Sequence, residues 1–212
     1  MKILITAGPT YERIDPVRFI GNFSTGKMGF ALAEACAERG FDVVLIAGVV
    51  YLQTQHANIQ RIDVESAAQM HDAVMQNFSD CDAAIFCAAV ADFTPEIVYS
   101  EKVKRKDNDL IIKLKPTQDI AAAAGKIKRN NQIIVGFALE TNDEENNAIS
   151  KMQRKNFDMI VLNSLNDSGA GFGYDTNKVT IIKKGGEKID LPLLSKKEVA
   201  EKVVNLVMVQ VV

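Results

Sequence analysis

The sequence predicts an α/β fold: a Rossmann-like open, mostly parallel sheet with helices on both faces, extended by hairpins. Three observations carry this. Short apolar runs such as "KILITAG", "DVVLIAG" and "IIVGFALET" read as strands buried on both faces. Stretches of helical period lie between them, so successive strands run parallel through right-handed crossovers. Two segments, about 94–117 and about 178–193, break the alternation and read as hairpins. The whole of 1–212 is expected to form one domain, a length ample for a sizeable core.

Each element follows from its pattern. "KILITAG" is an apolar run closed by Gly8. From Thr25 to Arg39, Met28, Ala31, Leu32, Ala35 and Cys36 share one helical face, and Gly40 supplies the stop. "DVVLIAG" and "IQRIDV" are the next strands, Ser66 to Phe78 a helix, and "DAAIFCAAVADF" a strand running into a loop. "EKVKRKDNDLIIKLKPT" reads as two strand-like pieces around a turn at Asp107-Asn108-Asp109. "IIVGFALET" and "DMIVLN" flank a polar helix from about Asp143 to Asn156. "KVTIIKKGGEKIDLPL" turns at Gly185-Gly186, ahead of a last helix from Lys196 to about Met208. Ligands of open parallel sheets gather at the carboxyl ends of the strands, which places "AGPT", "AAVAD", "GFALET" and "VLNS" on one functional rim.

Composition removes several classes of function. A formal net charge of −2 gives the bulk of the chain no attraction for nucleic acid or an anionic membrane, so any anion must meet a local cluster. Three cysteines without a CxxC pair, and two distant histidines, argue against a zinc site or a disulfide framework. No apolar run is long enough to span a bilayer, and Lys2 leads straight into a strand without a secretory signal. The expectation is a cytoplasmic protein.

"GNFSTGKM", Gly21 to Met28, has the spacing of a phosphate-binding P-loop, but Met28 stands where that motif needs a magnesium-binding hydroxyl. Ser24 and Thr25 stand where helix caps stand, and the N–H groups of a first turn attract anions. Gly26 and Gly29 permit close backbone approach. Asn22 is either a turn residue or a donor aimed at a carbonyl or oxyanion. Gly8 is a turn residue or a phosphate neighbour. Ala88 and Ala89 are small enough for close backbone contact, and Asp92 either takes a ribose hydroxyl or caps a turn. In "EKVKRK", strand alternation would put Lys102, Lys104 and Lys106 on one face, as a solvated edge or as a polyphosphate clamp. Lys151 and Lys155 lie four apart on one helix face, solvated or turned to phosphate. Phe137 packs on a ligand or belongs to the core.

The order of these motifs adds more than any one of them. "ITAGPT", "DPVRFIGNFSTGKMG", "AAVADF", "EKVKR", "PTQDI", "GFALET", "KNFD" and "VLN" resemble the run of motifs in phosphopantothenoylcysteine synthetases of the bacterial, CTP-dependent type. The likeness covers nearly the whole chain. It implies a ligase of coenzyme A biosynthesis that joins 4'-phosphopantothenate to L-cysteine through an acyl-cytidylate, with CTP and Mg2+. It implies catalytic roles for Asn22 and for Lys102 of a basic flap. Nucleotide-binding positions carry over to Gly8, Ser24, Gly26, Gly29, Ala88, Ala89, Asp92, Lys102, Thr117, Gln118, Asp119, Ile120, Phe137, Lys151, Lys155 and Asn163. Thr117-Gln118 stands where the bacterial pattern often has Asn-Pro. The resemblance names no protein ligands for magnesium. It also implies a homodimer paired through hairpin elements, and a flavin-dependent decarboxylase that in many bacteria is fused ahead of this part. Two other classes make different demands on the sequence. An NAD(P)-dependent oxidoreductase would need a glycine fingerprint after the first strand, which "GPTYER" lacks. A non-catalytic nucleotide-binding module would bind CTP without turnover.

Overall fold

The computed structural model describes residues 1–105, 109–164, 169, 171 and 173–211. Lys106 and the Asp107-Asn108 part of the expected turn lie outside the described residues. Strands β1 (Lys2–Ala7), β2 (Tyr11–Arg13) and β3 (Phe19–Gly21) precede helix α1 (Lys27–Ala37). Then come β4 (Asp42–Ala47), β5 (Ile59–Asp63), α2 (Ala67–Asn77), β6 (Ala83–Phe86), β7 (Phe93–Pro95) and β8 (Leu114–Pro116). The chain continues through α3 (Ile120–Ile127), β9 (Ile133–Glu140), α4 (Glu144–Arg154), β10 (Met159–Ser164), β11 (Thr176–Lys183), β12 (Lys188–Ser195) and α5 (Lys196–Val211).

Eight strands form the central sheet in the order β12-β11-β10-β9-β6-β1-β4-β5. The six from β10 to β5 are parallel, and the β11–β12 hairpin continues the sheet antiparallel beside β10. Alternation divides the core. In β1, Ile3, Ile5 and Ala7 face α1 and α5, while Leu4 faces the opposite layer of α2, α3 and α4. The chain leaves β1 toward β4 and β5, then returns across it to β6. Strand order therefore reverses between β1 and β6, where crevices open in such sheets.

Two glycines let elements approach the sheet. A Cβ on Gly29 of α1 would lie 2.4 Å from that of Ala7, so its absence lets the helix sit close on β1. A Cβ on Gly136 of β9 would lie 2.0 Å from the ring of Phe157. The ring occupies that notch and stacks near Phe86, centroids 6.4 Å apart.

The structure corrects three local expectations. Thr25 does not open the first helix. Gly26 takes the N-cap with φ 78°, a left-handed conformation that suits glycine, and Ser24 accepts only a 3.4 Å bond from the Gly26 N–H. Glu101–Arg105 is not a strand, so the expected face of Lys102 and Lys104 is not formed by pleating. The Val103 N–H goes to Asp15 Oδ2 at 3.1 Å and its carbonyl accepts from Arg18 Nη2 at 2.8 Å, which occupies the groups a ladder would use. The hairpin there pairs Phe93–Pro95 with Leu114–Pro116 instead. Two elements escape the apolar pattern altogether. The β2–β3 hairpin is only three residues per strand, held by Tyr11 stacked on Phe19 at 3.8 Å. The alanine-rich α3 starts from Asp119, whose carboxylate accepts from the Ala122 N–H at 3.0 Å.

Candidate functional site

The rim where strand order reverses is built by hydrogen bonds between the segments after β1 and β6. The Ala89 N–H donates to the Gly8 carbonyl at 2.9 Å, and the Ala91 N–H to Thr10 Oγ1 at 2.9 Å. The Ala88 N–H reaches Thr6 Oγ1 at 3.2 Å. "AGPT" and "AAVAD" are thus zipped side by side. Thr117 joins them, donating its N–H to the Asp92 carbonyl at 2.9 Å and its hydroxyl to the Ala91 carbonyl at 2.7 Å.

Two adjoining cavities of about 320 and 340 Å³ lie over this rim and share Ala88, Val90, Asp92, Phe137 and Lys151. The first is walled by Thr117, Gln118, Asp119 and Ile120 on one side and Lys151 and Lys155 on the other, with Gly136 and Phe157 beneath. Lys155 Nζ donates to Asp119 Oδ1 at 2.9 Å, which ties the end of α4 to the cap of α3. Burial pushes the Asp119 carboxyl up, but the Lys155 and Ala122 donors outweigh it and hold the group below the ordinary aspartate range. Lys151 Nζ donates to the Phe137 carbonyl at 3.1 Å. Burial first, and the charge of Lys155 second, lower its pKa. A desolvated ammonium beside a second cation is a receptive place for an anion.

The second cavity runs under the approach to α1. Asn22, Ser24, Gly26, Gly29, Ala89 and Asn163 line it. Asn22 is exposed, and its Nδ2 donates to the Ala89 carbonyl at 2.9 Å, so the amide is held across the seam between the two rim segments. Every nucleotide-binding position expected from the sequence lines this joint cleft except Gly8 and Lys102. Gly8 lies behind it with φ 78°, where a Cβ would meet Val50 Cγ1 at 2.7 Å. Lys102 is exposed and outside the lining, beside the Val103 backbone that Asp15 and Arg18 pin.

Lining residues that were not among the expected site positions include Lys27, Cys87, Asn177 and Lys196. Lys27 Nζ pairs with Asp175 Oδ1 at 2.7 Å. Asn177 and Lys196 come from the hairpin and last helix, whose arrival at the cleft depends on sheet order, which no local pattern reveals. Burial pushes the Cys87 thiol up to about 12, which makes it a poor nucleophile. No group of three His, Cys, Asp or Glu side chains among the described residues forms a metal cage. No helix among them is long and apolar enough to cross a membrane.

A parallel α/β sheet with a cleft at the reversal of strand order, lined by lysines and a glycine-rich helix approach, defines the class of doubly wound α/β proteins. Within that class, the chain belongs to the family of DNA/pantothenate metabolism flavoprotein C-terminal domains, whose model matches residues 1–210. It is 52% identical to a cysteine/cysteine sulfinic acid decarboxylase of an unknown prokaryotic organism, over 98% of this chain and 58% of that one. It is 50% identical to the coenzyme A biosynthesis bifunctional protein CoaBC of Bacillus subtilis, over 93% of this chain and 48% of that one. The chain thus spans about half the length of these curated relatives. The crystal structure of a CoaBC C-terminal domain superposes with a TM-score of 0.82 at 41% identity, covering 98% of this chain and 94% of that one.

Proposed function

We propose that the chain is a ligase of coenzyme A synthesis that joins 4'-phosphopantothenate to L-cysteine and consumes CTP. The observation that carries this reading is the single cleft that gathers Asn22, the α1 approach, Asp92, Thr117–Ile120, Phe137, Lys151 and Lys155, within a family that includes the CoaBC proteins. The carboxylate of phosphopantothenate attacks the α-phosphorus of CTP, giving an acyl-cytidylate and releasing pyrophosphate. The neutral amine of cysteine then attacks the acyl carbon. The new C–N bond forms as the bond to the CMP oxygen breaks, and the nitrogen gives up a proton.

In this reading the nucleobase lies in the cavity of Lys151 and Lys155, and the phosphates run toward Ser24, Gly26 and Gly29. The Asn22 amide stands at the reacting acyl group, where donors act on developing negative charge. Lys102 acts from the segment rooted at Val103. No group of three His, Cys, Asp or Glu ligands is found among the described residues, and magnesium held by nucleotide phosphates needs none. Mg2+ would arrive on the nucleotide phosphates with much of its water. A homodimer is part of the proposal. Exposed Val17, Phe19, Phe23, Phe93, Ile97, Val98 and Ile111 concentrate on β2–β3 and the 93–114 segment, whereas Leu193 alone is exposed among the large apolar residues of β11–β12. This favours the first hairpin region as the contact.

Pyrophosphate release with 4'-phosphopantothenate and magnesium, with CTP or ATP and with or without cysteine, tests the reading. Release that needs phosphopantothenate and prefers CTP, turning over continuously only with cysteine, is the expected result. Binding of CTP without release would make the chain a nucleotide-binding module.

A further inference from the structure

The cavity under the α1 approach ends on polar groups of which only Asn163 was expected to meet a ligand, as a nucleotide contact. Asn177 of β11 is fully buried, and neither its Oδ1 nor its Nδ2 has a hydrogen-bond partner, so its amide is unsatisfied whichever way round it stands. Asn163, which lines the same cavity, also has a buried, unpartnered Oδ1. Lys196, at the start of α5, is 8% exposed. Its ammonium donates to the Tyr174 carbonyl at 2.6 Å and the Gly171 carbonyl at 3.2 Å, which leaves one of three N–H groups. Of the other cations lining this cavity, Lys27 is paired with Asp175 and Lys151 donates to the Phe137 carbonyl. Buried polar groups are normally satisfied, so a cluster of missing partners points to a ligand that supplies them.

The pattern of what is missing selects the ligand. Two donors, Asn177 Nδ2 and the third Lys196 N–H, stand with two acceptors, the oxygens of Asn177 and Asn163. A polyphosphate offers only acceptors and would leave both amide oxygens unpaired. An α-amino acid offers a carboxylate to the donors and an amino N–H to the acceptors. We propose that Asn177 Nδ2 and Lys196 form the subsite for the α-carboxylate of the amino-acid co-substrate, with the Asn177 and Asn163 oxygens holding its amino group. The assignment rests on the ligase reading above. It places the amine in the cavity that Asn22 lines, on the side of the β11–β12 hairpin.

The test compares wild type with Asn177→Leu, which keeps the volume and removes the buried polar group, and with Lys196→Gln. L-cysteine and cysteamine, which lacks the carboxylate, are the competing nucleophiles. The apparent KM for L-cysteine should rise roughly tenfold or more in each variant, the loss of a hydrogen bond to a charged group. The KM for cysteamine should stay that of wild type, and Asn177→Leu should melt no lower than wild type. An equal rise for both nucleophiles, a rise in the KM for CTP instead, or no change for cysteine overturns the subsite. Pyrophosphate release by wild type with no such cysteine effect overturns the subsite alone, whereas no release from wild type sinks the ligase reading together with it.

Discussion

Asn22 shows how much a single amide can be asked to do. One N–H of its Nδ2 is held on the Ala89 carbonyl, so the amide is positioned before any ligand arrives and its second N–H is left to donate. Asn22→Asp keeps the shape but places a negative charge beside the acyl-phosphate. Product formation should fall by about 100-fold or more with the melting temperature unchanged, read by phosphopantothenoylcysteine formation and thermal denaturation; near-normal turnover would remove Asn22 from the mechanism. Lys151 makes a different kind of prediction, because its pKa is lowered by burial and by Lys155. An acceptor oxygen of the nucleotide takes a hydrogen bond from the protonated amine, so affinity is lost as pH rises through a value below the ordinary 10.5. Calorimetric titration with CTP should show that alkaline loss, and Lys151→Met should bind about tenfold more weakly at neutral pH without it. Asn22, Lys151 and Lys155 were legible in the sequence because motif order and helical spacing bring them forward. Asn177 and Lys196 were not, since a buried amide and the first residue of a helix carry no local mark of a site.

Among the elements, the segment carrying Lys102 is the least sheet-like, and its root explains why. Asp15 accepts from the Val17, Arg18 and Val103 N–H groups and pairs with the Arg18 guanidinium, which also holds the Val103 carbonyl. The Arg18 hydrogen bond is the chief reason that the Asp15 carboxyl lies well below the usual range, and backbone donors add to it against the cost of burial. A carboxyl depressed on folding stabilises the protein above its unfolded pKa, near 4. That contribution is lost as pH falls below this value toward the folded pKa. Asp15→Asn should therefore flatten the fall in melting temperature between about pH 5 and pH 3. It should also lower turnover by freeing the root of the Lys102 segment, while CTP affinity stays within about twofold. Lys102→Gln should lower turnover roughly tenfold at unchanged stability, because an exposed lysine contributes little to folding. Stability loss with full activity per folded molecule would detach this segment from catalysis. The sequence showed the basic cluster but not its conformation. Alternation alone suggested a strand, and the competing partners, the acceptor Asp15 and the donor Arg18, are more than eighty residues away along the chain.

At the scale of the molecule, the parallel sheet and its rim were readable from the apolar runs, because strands buried on both faces leave a continuous signature. The strand order, and hence which rim segments touch, was not readable, since it depends on non-local pairing. The exposed aromatic and aliphatic side chains of β2–β3 and residues 93–114 extend this to the assembly. Small-angle scattering at micromolar concentration should give a mass twice that of the 23.3 kDa chain. Phe19→Lys should shift it to a monomer, and a monomeric wild type would refute the dimer.

The Gly136 notch and the Phe157 ring that fills it form the base of the first cavity. Neither position can vary by itself. A methyl at 136 strikes the ring, and a smaller residue at 157 opens a hole beneath the ligand. Descent should therefore treat the two as one inherited character, passed on intact or exchanged together. A homologue with a side chain at 136 is expected to carry a residue shorter than phenylalanine at 157, and to possess a deeper, differently shaped pocket floor.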